Sequence, residues 1–385
     1  MPEHPKGSDR LAWVDQLRTM VIVLVVNMHA CVTYSHIGGW PVKDGPDPLP
    51  LDKMAFAIWQ GHLQSFFMGI LFLLAGYFAH GSLRRRSPAG FTRERLFRLG
   101  APTLLYMVVL NAVVLFVINP NGNDYGSRTG AYLRYLYTGH FLWGTGPMWF
   151  AAALLGFSVA LACLVALKPS LAADCANIGK PPGAAAVWAW GLALVAATFL
   201  VRTAQPLGTS VLNMQLCYFP QYILAFATGF AAARGRWLAA LARSSTARRA
   251  GWMGLLLGPP ALVAISLAGG VMKGAPFEAF SGGWNIRSLG IAAWEQLAGL
   301  GLGLGALAFC SGKLNESTPL ARWLSERSFG VYLFHPLVLI LLTVAYRPIA
   351  ANGFFKVSLL TGTGVIGSFI VADVARRIPG LRSLV

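Results

Sequence analysis

Three histidines, one carboxylate and three arginines stand inside or beside apolar runs, where charged and titratable groups are costly. His29 lies in "RTMVIVLVVNMHACV", His62 in "WQGHLQSFFMG", His335 in "SFGVYLFHPLVL" and Glu295 in "AAWEQLAGLGLG". An imidazole in such a place can act as a general base, or can itself be acylated. Glu295 can orient an imidazole or accept a proton. Arg18 precedes His29 on the same run, and on a helix the two lie about 16 Å apart. That separation is roughly half of a ~30 Å hydrocarbon core. Arg95 and Arg98, in "FTRERLFRLGAP", share a helix face. With Arg18 at the same membrane surface they form a forked donor set suited to phosphates. The three histidines have no close-spaced ligand pair, so no metal is expected.

Each residue also has a structural reading. Gln60 and Gln64 flank His62 and can hydrogen-bond to it. Pro336 frees a backbone carbonyl that His335 can satisfy. Glu295 can pair with an arginine on its side of the membrane, such as Arg287. Arginines after a span also set topology or touch lipid headgroups. His29 is the strongest candidate because Arg18 accompanies it. By depth alone, the three imidazoles are expected to meet near the midplane.

The elements that position these groups follow from composition. The chain has 385 residues, is 56% hydrophobic and only 12% charged, about half the charge of soluble domains. Ten apolar runs recur, over approximately 17–36, 54–80, 99–118, 147–167, 186–201, 216–233, 251–272, 289–311, 328–346 and 353–373. The fifth is short of the ~20-residue span length. The expected fold is an all-α polytopic membrane bundle of about ten helices. It comprises a tail over 1–16, a single transmembrane domain over 17–373 and a tail over 374–385.

The net charge of +17 would suggest nucleic acid in a soluble chain. Here the basic residues alternate between connections instead. With the N-terminus in the cytoplasm, 21 of the 31 Lys and Arg fall on the inner side, nine fall outside, and Arg18 sits at the boundary. That bias predicts both termini inside and excludes nucleic acid as a partner. Membrane lipids surround the bundle, and a homo-oligomer is compatible with the sequence. The five cysteines show no paired spacing. The long connection "PNGNDYGSRTGAYLRYLYTGHFLWGTG" suits an extracytoplasmic acceptor better than a tight turn.

The same residues carry a resemblance. "VDQLRTMVIVLVVNMHA" resembles the opening of the membrane acyltransferase-3 family, an Asp-x-x-Arg followed by His on the first span. "SFFMGILFLLAGYFAHGSLRRRSPAGFTRERLFRLGAP", "GPMWFAAALL", "CYFPQYILAFATGFAAARGRWL" and "SFGVYLFHPLVL" are similar to later blocks, in the same order. The glucan biosynthesis protein C subgroup, linked to succinylation of periplasmic glucans, is the most similar. Ala75 stands where a serine is usual. The resemblance implies a bacterial inner-membrane O-acyltransferase. Its donor would be cytoplasmic acyl-coenzyme A (acetyl-CoA or succinyl-CoA) and its acceptor a hydroxyl of a periplasmic or cell-surface carbohydrate. Arg18, Arg95 and Arg98 would hold the donor's phosphates, and His29 would meet the thioester. The competing class is a transporter or flippase of a glycan or lipid-linked substrate.

Overall fold

The computed structural model describes residues 12–118, 128–175 and 178–384. Most of the expected N-terminal tail and residues 119–127 of the long connection lie outside them. Ten helices are long and apolar enough to cross a bilayer: α1 (Ala12–Ser35), α2 (Pro50–Arg84), α3 (Pro88–Val117), α4 (Gly146–Leu167), α5 (Ala184–Ala204), α6 (Leu216–Gly235), α7 (Ser245–Lys273), α8 (Ile286–Lys313), α9 (Pro319–Tyr346) and α10 (Gly353–Arg377). The short fifth run is completed by Arg202, which belongs to the helix. No sheet forms among the described residues.

The sequence starts these helices with side-chain caps. Ser87, Ser244, Asn285, Thr318 and Asn352 each accept a hydrogen bond from a backbone N–H in the first turn of α3, α7, α8, α9 and α10. α1 sits in the middle of the bundle, against α2, α8, α9 and α10. Its residues Trp13, Leu17, Val21, Val25 and Val26 are all core. Between α2 and α6 the backbones touch. A Cβ on Gly76 would stand 2.0 Å from the Phe226 carbonyl oxygen, and one on Gly229 would stand 1.8 Å from that of Leu73. Only glycine allows that approach, the small-residue packing that joins helices in lipid.

α3 is not a regular α-helix. Five-residue turns interrupt it at Leu96–Gly100 and Tyr106–Leu110. Pro102 has no N–H for the Arg98 carbonyl and would clash with it, so the wider turn relieves the conflict. In the second turn the loosened carbonyls are claimed from outside the helix. Tyr135 donates to Met107 O at 2.7 Å and Tyr132 to Val108 O at 3.2 Å. Both tyrosines lie on a short helix, Arg128–Tyr137, so the described part of the long connection is docked on α3 rather than open.

The connection between α1 and α2, "HIGGWPVKDGPDPLP", turns back over the end of α1. His36, Gly38 and Gly45 take left-handed conformations there. Asp44 N–H donates to Thr33 O at 3.0 Å, and the Asp44 carboxylate accepts from Lys356 Nζ at 3.1 Å. Gln60 holds the Ile37 carbonyl at 3.2 Å. The result is a tethered cap on one face of the bundle.

Candidate active site

His29 and His335 come together. Their rings stack with centroids 5.2 Å apart and planes 21° apart, one from α1 and one from α9. Trp40, carried in by the tethered connection, stacks on His29 at 4.2 Å. The three rings therefore follow one another as Trp40, His29 and His335. His335 is 0% exposed, whereas His29 keeps some accessible surface. The Nδ1 of His29, the Nε2 of His335 and the indole Nε1 of Trp40 are buried with no hydrogen-bond partner.

The proline accounts for half of His335. Pro336 cannot donate to the Tyr332 carbonyl four residues back. His335 Nδ1 donates there instead, at 2.8 Å, with Val331 O at 3.3 Å. Because a carbonyl only accepts, this contact places the proton on Nδ1 and leaves a lone pair on Nε2. The Tyr332 hydroxyl in turn donates to the Pro147 carbonyl. That bond ties α9 to the Gly146–Met148 turn of "GPMWF".

His62 does not join them. It faces α7 and α8, with its ring edge-on to Trp294 at 5.1 Å and its Nδ1 donating to Ile58 O at 2.6 Å. The expected meeting of three imidazoles is thus corrected to two. On α2 its ring is turned toward α7 and α8, away from the His29–His335 stack. Nor do the flanking amides serve His62: Gln60 holds Ile37, and Gln64 donates to the Tyr222 hydroxyl at 3.4 Å.

Glu295 orients neither histidine. Arg202 Nη2 donates to both its carboxylate oxygens, at 2.7 and 2.8 Å, and Gln296 donates to Oε1 at 2.8 Å. Arg202 is 0% exposed. The expected partner, Arg287, instead donates to the Gly269 carbonyl at the end of α7, 2.7 Å away. The pair is an interhelical ion pair between α5 and α8, of the kind that is retained because removing either charge strands the other.

Of the three arginines, Arg18 stands on α1, apart from the Arg95 and Arg98 helix in sequence, and donates to the backbone oxygen and hydroxyl of Ser325 at 3.0 and 2.9 Å. It lies 3.4 Å from Asp15. This contact clamps α1 to α9, the two helices that present His29 and His335. Arg98 pairs with Glu94 at 3.2 Å, and Arg86 reaches the same carboxylate at 3.4 Å. Arg95 lies over the Phe91 ring at 5.0 Å. Its Nε is buried without a partner. Glu94 lies among these arginines and offsets part of their charge, which spacing alone did not reveal.

Trp40 and Tyr332 complete the surroundings of the histidines and were missed. Trp40 had one available signal: it lies in a Gly- and Pro-rich connection shortly after His29, short enough to fold back on it. Tyr332 had the helical spacing to His335.

The acyltransferase domain family matches residues 11–375, nearly all of the helical bundle. No curated protein and no solved structure matches the chain. The ten apolar helices and the family match agree: this chain belongs to the acyltransferase domain family and is an integral membrane acyltransferase.

Proposed function

We propose that the chain is an O-acyltransferase that moves an acetyl or succinyl group from acyl-coenzyme A to a hydroxyl of an extracytoplasmic glycan. One observation carries this reading. His29 is the partly accessible member of a stacked histidine pair and shares one rigid helix with Arg18. In the reaction the acceptor hydroxyl loses its proton to an imidazole lone pair as its oxygen attacks the thioester carbonyl. The C–O bond forms, the C–S bond breaks, and the proton passes to the departing thiolate to give free coenzyme A. A covalent route, in which His29 takes the acyl group first, uses the same atoms in two steps.

The arginine-rich face supplies the donor end. Arg95 has an unused buried N–H, and Arg98 is exposed beside it. Arg18, near the start of α1 and held on Ser325, is the third phosphate contact that the sequence likeness supports. The arginine-rich face is the cytoplasmic one by the distribution of basic residues, which puts both termini inside and the tethered cap outside. A bacterial inner membrane fits this arrangement, and the glucan-modifying subgroup is the finer assignment that the sequence likeness supports.

The test is thiol release. Purified chain supplied with acetyl- or succinyl-coenzyme A should liberate coenzyme A, and His29→Ala should not. No release with either donor would refute the reading and favour a transporter.

A further inference from the structure

Three buried nitrogen atoms without partners lie on three rings of one stack. A buried polar group left unpaired is costly, and a cluster of them marks a place where something else binds. Trp40 Nε1 can only donate, whereas His335 Nε2 can only accept in the tautomer its Nδ1 contact selects. His29 Nδ1 can do either. No ion pair includes any of the three among the described residues, so a neutral ligand fits better than an anion. A ligand carrying adjacent hydroxyl groups satisfies both a donor and an acceptor at once.

Trp40 is also held where it is by design of the connection rather than by a helix. Its ring packs among Val42, Val114 and Ile340, which brings α3 and α9 to the same spot. Asp44 and Lys356 tether the connection to α10 through a pair of which both members are mostly buried. In place, the indole covers one face of His29.

We propose that Trp40 is an acceptor-binding residue. Its indole N–H donates to the hydroxyl adjacent to the one acylated, and its ring keeps water off His29. The ligand class is a neutral ring or chain bearing neighbouring hydroxyls. This rests on the acyltransferase reading above. It adds a partition that the reading does not require. The acyl group leaves as an ester when a hydroxyl neighbour is present. Without one it leaves slowly as the free acid, with water supplying the oxygen and coenzyme A released in both cases.

The full chain in detergent is given acetyl- or succinyl-coenzyme A with glycerol or propan-1-ol as probe acceptors. Thiol release and ester formation are measured together. Wild type should prefer glycerol. Trp40→Phe keeps a stacking ring but not the N–H, and should lower that preference about 2- to 10-fold, the value of one neutral hydrogen bond. Trp40→Ala, and Lys356→Gln that releases the tether, should raise hydrolysis several-fold. A wild type indifferent between the two alcohols, or a Trp40→Phe chain with unchanged preference, would overturn the assignment. So would a parallel fall of hydrolysis and ester formation in Trp40→Phe and Lys356→Gln, which is the mark of packing alone. Absence of thiol release from wild type would instead sink the transferase reading itself.

Discussion

Replacing His335 by Phe separates the two things its imidazole does. The ring volume and the stack on His29 are kept. The Nδ1–H bond to Tyr332 O is lost, and so is the unpartnered Nε2. An orphaned buried carbonyl costs about 1–3 kcal/mol, but removing an unsatisfied nitrogen gives some of that back. The single variant is therefore expected near the low end, about 1 kcal/mol. Pro336→Ala restores an N–H aimed at the same Tyr332 carbonyl. In a double-mutant cycle the Nε2 contribution is common to both arms and cancels, leaving the carbonyl alone. The coupling should then be about 1–3 kcal/mol in favour of the double variant. With an unfolding entropy of roughly 2.1 cal/mol/K per residue, that corresponds to about 1–4 °C of recovered apparent melting temperature for this chain. Detergent-solubilised protein, melted at one scan rate, measures it. A cycle with zero or opposite coupling would show that the proline-freed carbonyl is not what His335 satisfies. Thiol release from the refastened double variant then reports on the other nitrogen. Within about threefold of wild type, His335 is structural; down by the 10²–10⁴ typical of a lost acid–base group, Nε2 takes part.

His29→Gln should keep donor binding and lose about 10²–10⁴ in single-turnover rate, which quenched-flow acyl transfer measures. Arg202→Met should destabilise the chain by about 3–5 kcal/mol by stranding Glu295, while Arg202→Met with Glu295→Gln should recover most of that and retain thiol release. Arg95→Ala should weaken acyl-coenzyme A binding roughly 10- to 150-fold, the value of a charge-assisted contact to phosphate, with lysine restoring only part. Asp174 links the α4–α5 connection to Arg84 at 2.9 Å and Arg236 at 2.8 Å. Partial burial works against its ionised form, yet these two arginines hold its carboxyl below the usual value of 3.8. A depressed carboxyl stabilises the fold above its unfolded pKa and loses that stabilisation as pH falls through the folded one. Wild type should thus shed stability below about pH 4 to a degree that Asp174→Asn does not, as melting across an acid series will show.

The ten helices were legible because hydropathy is a property of composition along the chain. The position of a residue along its helix was legible too, because each residue advances a helix by a constant rise. What position along a helix does not contain is azimuth. His29 and His335 meet, while His62 faces Trp294, because close glycine contacts such as Gly76 against Phe226 decide how α2 is turned. Glu295 had two readings, a catalytic carboxylate or the partner of an arginine such as Arg287; it pairs with Arg202, from α5, not Arg287. The two arginines differ in neither charge nor side, only in which helix face meets α8. The five-residue turns of α3 needed Pro102 to be weighed against its helix, and the second needed the tyrosines of a distant segment. Trp40 lay outside any periodic element, where helical patterns say nothing.

Arg202 and Glu295 are ninety-three residues apart in sequence and form an ion pair in the finished bundle. A ribosome making about 5–20 residues per second needs roughly 5–19 s to cover that interval. During that time α5 has left synthesis with its cation but without its counter-ion. Near the helix end, a long arginine side chain can reach back to the headgroups and wait there. α5 is therefore expected to settle into its final position only after α8 has been inserted, so the packing of α5 on α8 is ordered in time by a single side chain. A chain truncated after α7 would retain α5 as a loosely placed helix, more open to protease and crosslinker than α1 or α2.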